Sequence, residues 1–253
     1  MFLFIVGLGA GTLGSIIGIG GGIIITPALT LMGFTPAHTA STSLIAVTST
    51  SASSTIAYSR QKKIDYSRAL KMVIFAIPGS IIGAFISNDI SLQLFKLSFA
   101  ILLMLTGSYI LFKNSILKNS NNSSNKQPKT RISLLICYAG TFIAGIISSL
   151  FGVGGGIIFV PIMVLIFQMT MAKAAPTSQL ILFITSLVGT FTYILLSKPD
   201  YLNALFLAGG AFIGGQIGAT LSNYLKEKIL QKLLSIFLIA VAIKLILDVI
   251  LEL

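Results

Sequence analysis

The residues of this chain that could do chemistry sit around two glycine runs. The stretch SIIGIGGGIIITP, residues 15–27, returns as SSLFGVGGGIIFVP, residues 148–161. Three adjacent glycines weaken a helix by about 1 kcal/mol each relative to alanine, so both runs are expected breaks. In hydrocarbon a break is tolerable only where its backbone amides are buried in protein or face a watery cavity. The segments that restart at Ile23 and Ile157 offer N-terminal amides and a helix dipole, which favour an anion. Gly20, Gly21, Gly22 and Ile23, with Gly154, Gly155, Gly156 and Ile157, are therefore the candidate substrate-binding backbone.

Hydroxyls supply the next candidates. TASTSLIAVTSTSASST, residues 39–55, holds eleven Ser or Thr in seventeen positions. Helical hydroxyls can satisfy themselves on the preceding turn or mediate packing, whereas a whole face of them suggests a hydrated path. Thr42-Ser43 recurs as Thr177-Ser178, with Gln179 beside the second pair, and these groups could donate hydrogen bonds to an oxyanion. His38 aligns with Lys173, and the two would stand at opposite pathway mouths, where interface anchoring is an equal reading.

Other chemistry is excluded. GAGTLG, residues 9–14, matches a dinucleotide fingerprint, but the first acidic residue is Asp65, far beyond the roughly 20-residue spacing of a ribose-binding acid. Asp65, Asp89, Asp200, Glu227, Asp248 and Glu252 all lie at or near segment ends, so a buried carboxylate relay is missing. The one cysteine, Cys137, rules out an internal disulfide, and no metal-ligand spacing or catalytic pair recurs. No enzyme activity and no cofactor are expected.

The elements that must position these groups are membrane spans. Of the 253 residues 55% are apolar, 9% are charged, and mean hydropathy is +0.98. Stretches 39–59, 72–95, 132–168 and 174–197 carry charge only near their ends, and a spanning helix needs about 20 such residues. The N-terminal MFLFIVGLGAGTLG lacks a basic region before its apolar run and reads as mature protein. The net charge of +11 comes from basic residues in short loops, which fits positive-inside topology rather than nucleic-acid binding.

An offset of 134 residues superposes Gly18, Gly20, Gly21, Gly22 and Pro27 on Gly152, Gly154, Gly155, Gly156 and Pro161. One insertion makes it 135, which pairs Thr42-Ser43 with Thr177-Ser178, Asp65-Tyr66 with Asp200-Tyr201, and Gly79 and Gly83 with Gly214 and Gly218. The chain is thus two repeats, 1–112 and 132–253, joined by a polar basic linker, 113–131. Each repeat has a glycine-broken stretch (1–33, 132–168) and three spans: 38–59, 66–87 and 92–112, then 174–196, 201–222 and 229–251. If each broken stretch crosses once, the basic residues divide 11 against 5 between the two sides; if each dips in and returns, they divide 14 against 2, with Lys96 and Lys198 outside and Lys244 uncounted. The charge rule favours the second. The expected fold is an all-α integral membrane protein of two inverted repeats, each a re-entrant or discontinuous helix pair plus three spanning helices. Its termini lie outside and its linker in the cytoplasm, where sequons at Asn121 and Asn122 would be accidental. The small-xxx-small ladders Gly14/Gly18/Gly22, Gly79/Gly83 and Gly210/Gly214/Gly218 let helix backbones approach, within the chain or in a homodimer.

The doubled GxGGGxxxxP, Gly18 to Pro27 and Gly152 to Pro161, the TS pairs at 42–43 and 177–178, and the K-x-D-Y loops at 63–66 and 198–201 resemble the sulfite exporter TauE/SafE family over nearly the whole chain. That resemblance implies a prokaryotic inner-membrane permease for sulfite or another sulfur-containing or small organic anion. With the amide-lined breaks it gives an alternating-access carrier whose partners are a small anion and the lipid bilayer. A passive anion channel is the alternative.

Overall fold

A computed structural model describes residues 1–118, 131–196, 199–224 and 227–251. They form the helices α1 Phe2–Ile17, α2 Gly22–Leu31, α3 Pro36–Arg60, α4 Tyr66–Asp89, α5 Leu92–Lys118, α6 Arg131–Phe151, α7 Gly156–Leu165, α8 Met171–Leu196, α9 Tyr201–Leu221 and α10 Glu227–Leu251, with no strand among the described residues. Most of the linker, 119–130 with Asn121 and Asn122, lies outside the described residues, as does Lys198. Helices α4, α8 and α9 are long and apolar enough to cross a membrane by length and composition; α1, α2, Leu92–Leu105 and Leu135–Phe151 are shorter apolar helices.

The helix starts follow from local chemistry. Pro36 supplies the preset φ of a first helical residue, so α3 begins two residues before its apolar pattern. Asp65 and Asp200 cap α4 and α9: their carboxylates accept from the amides of Arg68 at 3.1 Å and Asn203 at 3.2 Å. Repeat-equivalent acids thus serve a repeat-equivalent capping role, worth about 1 kcal/mol each. Lys96, counted on the outer side, lies in the first turns of α5 and is buried.

Glycines decide which helices touch. A Cβ on Gly210, Gly214 or Gly218 of α9 would come within 2.1–2.3 Å of the carbonyl oxygens of Phe4, Leu8 and Thr12 in α1. On Gly79 and Gly83 of α4 it would come within 2.2 Å of Phe142 O and Ile146 O in α6. Both ladders are therefore consumed inside the chain, and each joins a helix of one half to a helix of the other. Without a hydrophobic drive between helices in lipid, such close van der Waals approach holds the bundle together.

The hydroxyls of α3 serve the same end. Thr48, Thr50, Ser51 and Ser54 donate to carbonyls one turn back, while Ser49 and Ser53 reach Ala208 O at 2.8 Å and Phe212 O at 2.7 Å on α9. Much of the face that reads as a hydrated path is thus a packing face. Helices α5 and α10 close the flank: Phe95, Phe99 and Leu103 join Val241, Ala242 and Leu245 over Ile16, Ile17 and Phe151. The Phe151 ring lies 5.4 and 5.2 Å from those of Phe95 and Phe99.

Candidate functional site

The two glycine runs lie against each other in the middle of this bundle. Helix α1 ends at Gly18, whose φ of 82° is left-handed, and the amides of Gly18, Ile19 and Gly20 all turn back to Gly14 O at 3.0–3.1 Å. In the second half Val153 and Gly154 turn back to Ser148 O at 3.1 and 3.4 Å. Helices α2 and α7 then restart at Gly22 and Gly156. A Cβ on Gly22 would stand 2.4 Å from Gly152 O, and one on Gly156 would stand 2.6 Å from Ile19 Cα, so each restart touches the other run.

Several carbonyls here take side-chain donors. The Ser43 hydroxyl of α3 donates to Gly152 O at 2.7 Å, and the Ser178 hydroxyl of α8 donates to Gly18 O at 2.7 Å. Each half thereby ties down the other's helix end. Tyr58 donates to Ser15 O at 3.0 Å and Tyr193 to Ser149 O at 2.9 Å; Thr26 donates to Phe151 O at 2.8 Å, and Gln179 Nε2 to Gly14 O at 3.0 Å.

The amides are not so provided. Gly21, Gly22, Ile23, Gly155, Gly156 and Ile157 are buried, and among the described residues no acceptor takes their N–H groups. Unpartnered helix N-termini are normal in water and costly when buried. Two buried oxygens beside them also lack partners: Gln179 Oε1 at the first run, and Ser148 Oγ at the second. Both kinds of backbone group go unpartnered at the runs, since the carbonyls of Ile19, Gly20, Val153 and Gly154 also take no donor among the described residues. Among the described residues no acidic, His or Cys cluster could hold a metal.

Other candidates fall elsewhere. Thr177 donates to Lys173 O at 2.6 Å and accepts from the Asp65 amide at 3.0 Å, which ties α8 to the α3–α4 loop. Thr42 is fully buried and without a partner. The side chains of Ile23 and Ile157 pack in the aromatic cluster around Phe151, so only their backbones face the runs' chemistry. His38 and Lys173 are exposed at the starts of α3 and α8.

Several groups at the runs escape a motif search. Val47 and Leu182, 135 residues apart, clasp Gly20 and Gly154 from either side. Tyr58 and Tyr193 stand at the same offset. The repeat alignment contains all four, but only the folded chain brings them to the runs.

A model of the sulfite exporter TauE/SafE family matches residues 3–245. The chain belongs to this family. Its relatives in the TauE/SafE set include the probable membrane transporter protein YunE of Bacillus subtilis, 31% identical over 264 residues that cover 97% of each chain. The probable membrane transporter protein MJ0441 of Methanocaldococcus jannaschii is 27% identical, over 92% of this chain and 90% of that one. YfcA of Escherichia coli K12, also a probable membrane transporter protein, is 24% identical over 97% of this chain and 89% of its own. No solved structure matches. The TauE/SafE chain is thus a membrane transporter and not an enzyme.

For this TauE/SafE transporter the cross-half hydroxyl ties give a stability prediction. Ser43→Ala and Ser178→Ala each strand a buried carbonyl, so each should cost about 1–3 kcal/mol. Thermal midpoints in detergent should fall by similar amounts in the two variants, and a change in only one would show that the ties are not equivalent.

Proposed function

We propose that the transporter carries a small anion, sulfite or another sulfur-containing oxyanion, at the junction of the two glycine runs. The observation that carries this reading is the pair of buried helix starts that meet there, whose six amides have no acceptor. An oxyanion offers several acceptor sites and a charge that two helix N-termini favour. The carrier moves it by alternating access, the two halves rocking about the junction.

The inverted arrangement of the repeats 1–112 and 132–253, with discontinuous helix pairs, is supported by loop contacts. The Arg68 guanidinium sits 5.7 Å over the Phe167 ring, and the Lys63 ammonium donates to Asn223 Oδ1. If each glycine-interrupted stretch crossed once, Arg68 and Phe167, and likewise Lys63 and Asn223, would be on opposite faces. On the inverted plan they share the cytoplasmic face of the inner membrane, and both termini lie outside. Leu3 clusters with Ile25 and Leu29, as expected if α2 runs back along α1. A homodimer would use surfaces other than the internal glycine ladders.

Single cysteines at Lys62, Gln168 and Asn88 in a Cys137→Ser background test the topology. An impermeant thiol reagent added outside intact cells should label the Asn88 site and spare the Lys62 and Gln168 sites. Labelling of the Lys62 and Gln168 sites from opposite faces would sink the inverted arrangement. Purified carrier in proteoliposomes should show saturable sulfite uptake and counterflow. Flux that rises linearly with concentration and shows no counterflow would instead favour the passive channel, and no flux of sulfite, thiosulfate or sulfoacetate would remove the anion reading.

A further inference from the structure

We propose that a cavity above the first glycine run is an anion-capture vestibule with Lys63 as its charge, an inference that rests on the anion-carrier reading. The cavity, about 120 Å³, lies between the end of α3, the start of α8 and the end of α9. Its polar lining is Tyr58, Lys63 and Ser222; Ile16, Met171 and Ala175 lie among the apolar side chains that complete it. A water's share of liquid is about 30 Å³, so the space suits a few waters or one small oxyanion.

The cavity borders the first glycine run. Its floor includes Tyr58, whose hydroxyl holds Ser15 O at 3.0 Å, and Ala175, whose Cα would be 2.5 Å from a Cβ on Gly18. No acidic residue lines it.

Lys63 is held in place without being neutralised. Lys62 adopts a left-handed φ of 53°, which turns the chain so that the Lys63 amide donates to Tyr58 O at 3.2 Å. The Lys63 ammonium donates to Asn223 Oδ1, Asn223 Nδ2 to Gln61 Oε1 at 3.3 Å, and Gln61 Nε2 to Ala219 O at 3.1 Å. Every partner in this relay is an uncharged amide or carbonyl. The nearby carboxylate of Asp65 is taken by Arg68, its side-chain ion pair at 3.0 Å, and among the described residues Lys63 makes no ion pair. A fixed, uncompensated cation in a partly enclosed pocket concentrates anions at its mouth, typically raising capture by tenfold or more at low salt. For topology alone an exposed lysine would serve; the neutral relay and the cavity go beyond that need.

The test uses the full-length carrier in vesicles with Cys137→Ser and a single reporter, Ser222→Cys. Modification rates are compared for a sulfonate methanethiosulfonate and a trimethylammonium methanethiosulfonate, in about 20 mM and 500 mM salt. The sulfonate should be favoured at low salt. Lys63→Gln should lower the sulfonate-to-ammonium rate ratio about tenfold, Lys63→Arg should preserve it, and Asn223→Ala, which breaks the tie and keeps the charge, should stay within about twofold. An unchanged ratio in Lys63→Gln, or equal loss in Asn223→Ala, would overturn the vestibule. Sulfite transport is then measured in the same variants. Lys63→Gln should raise half-saturation about tenfold for sulfite offered on the Lys63 face and leave the maximal rate intact. A normal half-saturation beside a lowered labelling ratio would take the cavity off the route and overturn the proposal. Absence of sulfite, thiosulfate and sulfoacetate flux in the parent carrier would remove the anion-carrier reading instead, while the labelling ratio still reports on the charge.

Discussion

Gly22→Ala and Gly152→Ala should each cost about 3 kcal/mol and lower the melting temperature markedly, while Gly9→Ala should be neutral or slightly stabilising. A Cβ on Gly22 would lie 2.4 Å from Gly152 O and 2.6 Å from Val153 Cα. One on Gly152, where φ is 69°, would lie 2.6 Å from Ala40 O. These obstacles are backbone, so relief requires moving α2 from α6, or α6 from α3. Overpacking costs roughly 1–3 kcal/mol and a left-handed non-glycine residue roughly 1–2, a large part of a total stability of about 5–15. Gly9 has nothing within 4 Å of the same position and sits in the middle of α1, where alanine gains up to about 1 kcal/mol of helix propensity. Gly154→Ala stands between: its obstacles are side chains, Val47 Cγ1 at 2.7 Å and Leu182 Cδ2 at 3.0 Å. Adding Val47→Ala should restore part of what Gly154→Ala loses and do nothing for Gly152→Ala. Detergent melting curves of the tagged protein decide the matter; Gly22→Ala or Gly152→Ala melting like the parent would show that the runs pack more loosely than these distances require.

Ser148→Ala should separate transport from stability. Its hydroxyl is buried and has no hydrogen-bond partner, so its loss removes no bond and relieves an unsatisfied polar group. The melting temperature should hold or rise slightly. If the anion binds at the junction, this hydroxyl is free to donate to it, beside the unpartnered amides of Gly155 and Gly156. A hydrogen bond to a charged group is worth about 1.5–3 kcal/mol, or roughly 10- to 150-fold in affinity. Sulfite counterflow should therefore show half-saturation raised at least tenfold in a protein that melts like the parent. Unaltered counterflow would place the substrate elsewhere. Ser43→Ala makes the useful contrast, since it should lose stability first.

The glycines, hydroxyls and loop charges were open to reading in one dimension because each follows from a local rule. Hydropathy located the long helices to within a few residues, and the 134–135 offset paired groups that the fold then treats alike: Asp65 with Asp200 as caps, Ser43 with Ser178 as ties, Tyr58 with Tyr193 as carbonyl donors. Partner choice followed no local rule. Thr42 and Thr177 repeat as faithfully as their serine neighbours, yet Thr177 turns to Asp65 while Ser178 turns to the glycine run, because adjacent helical residues point about 100° apart.

One further exchange illustrates the difference. Ser15 and Ser54 of the first repeat meet Gly215 of the second, whereas Ser149 of the second repeat and Ser80 of the first meet at Gly189. At equivalent places two serines and one glycine are dealt to different helices. Alignment alone would score those positions as mismatches; in space each cluster keeps two hydroxyls against one glycine that has no room for a Cβ.

By itself the sequence determined that this is a helical membrane protein in which one glycine-proline motif is written twice, since composition and repetition survive as linear patterns, and its resemblance to the TauE/SafE family implied transport. Only the tertiary structure decided that the hydroxyl-rich face of α3 packs, that six amides at the runs are buried without acceptors, and that Lys63 stands over a cavity beside a neutral partner. Those facts depend on which polar groups of separate helices come within about 3 Å of one another, and no local rule carries that information.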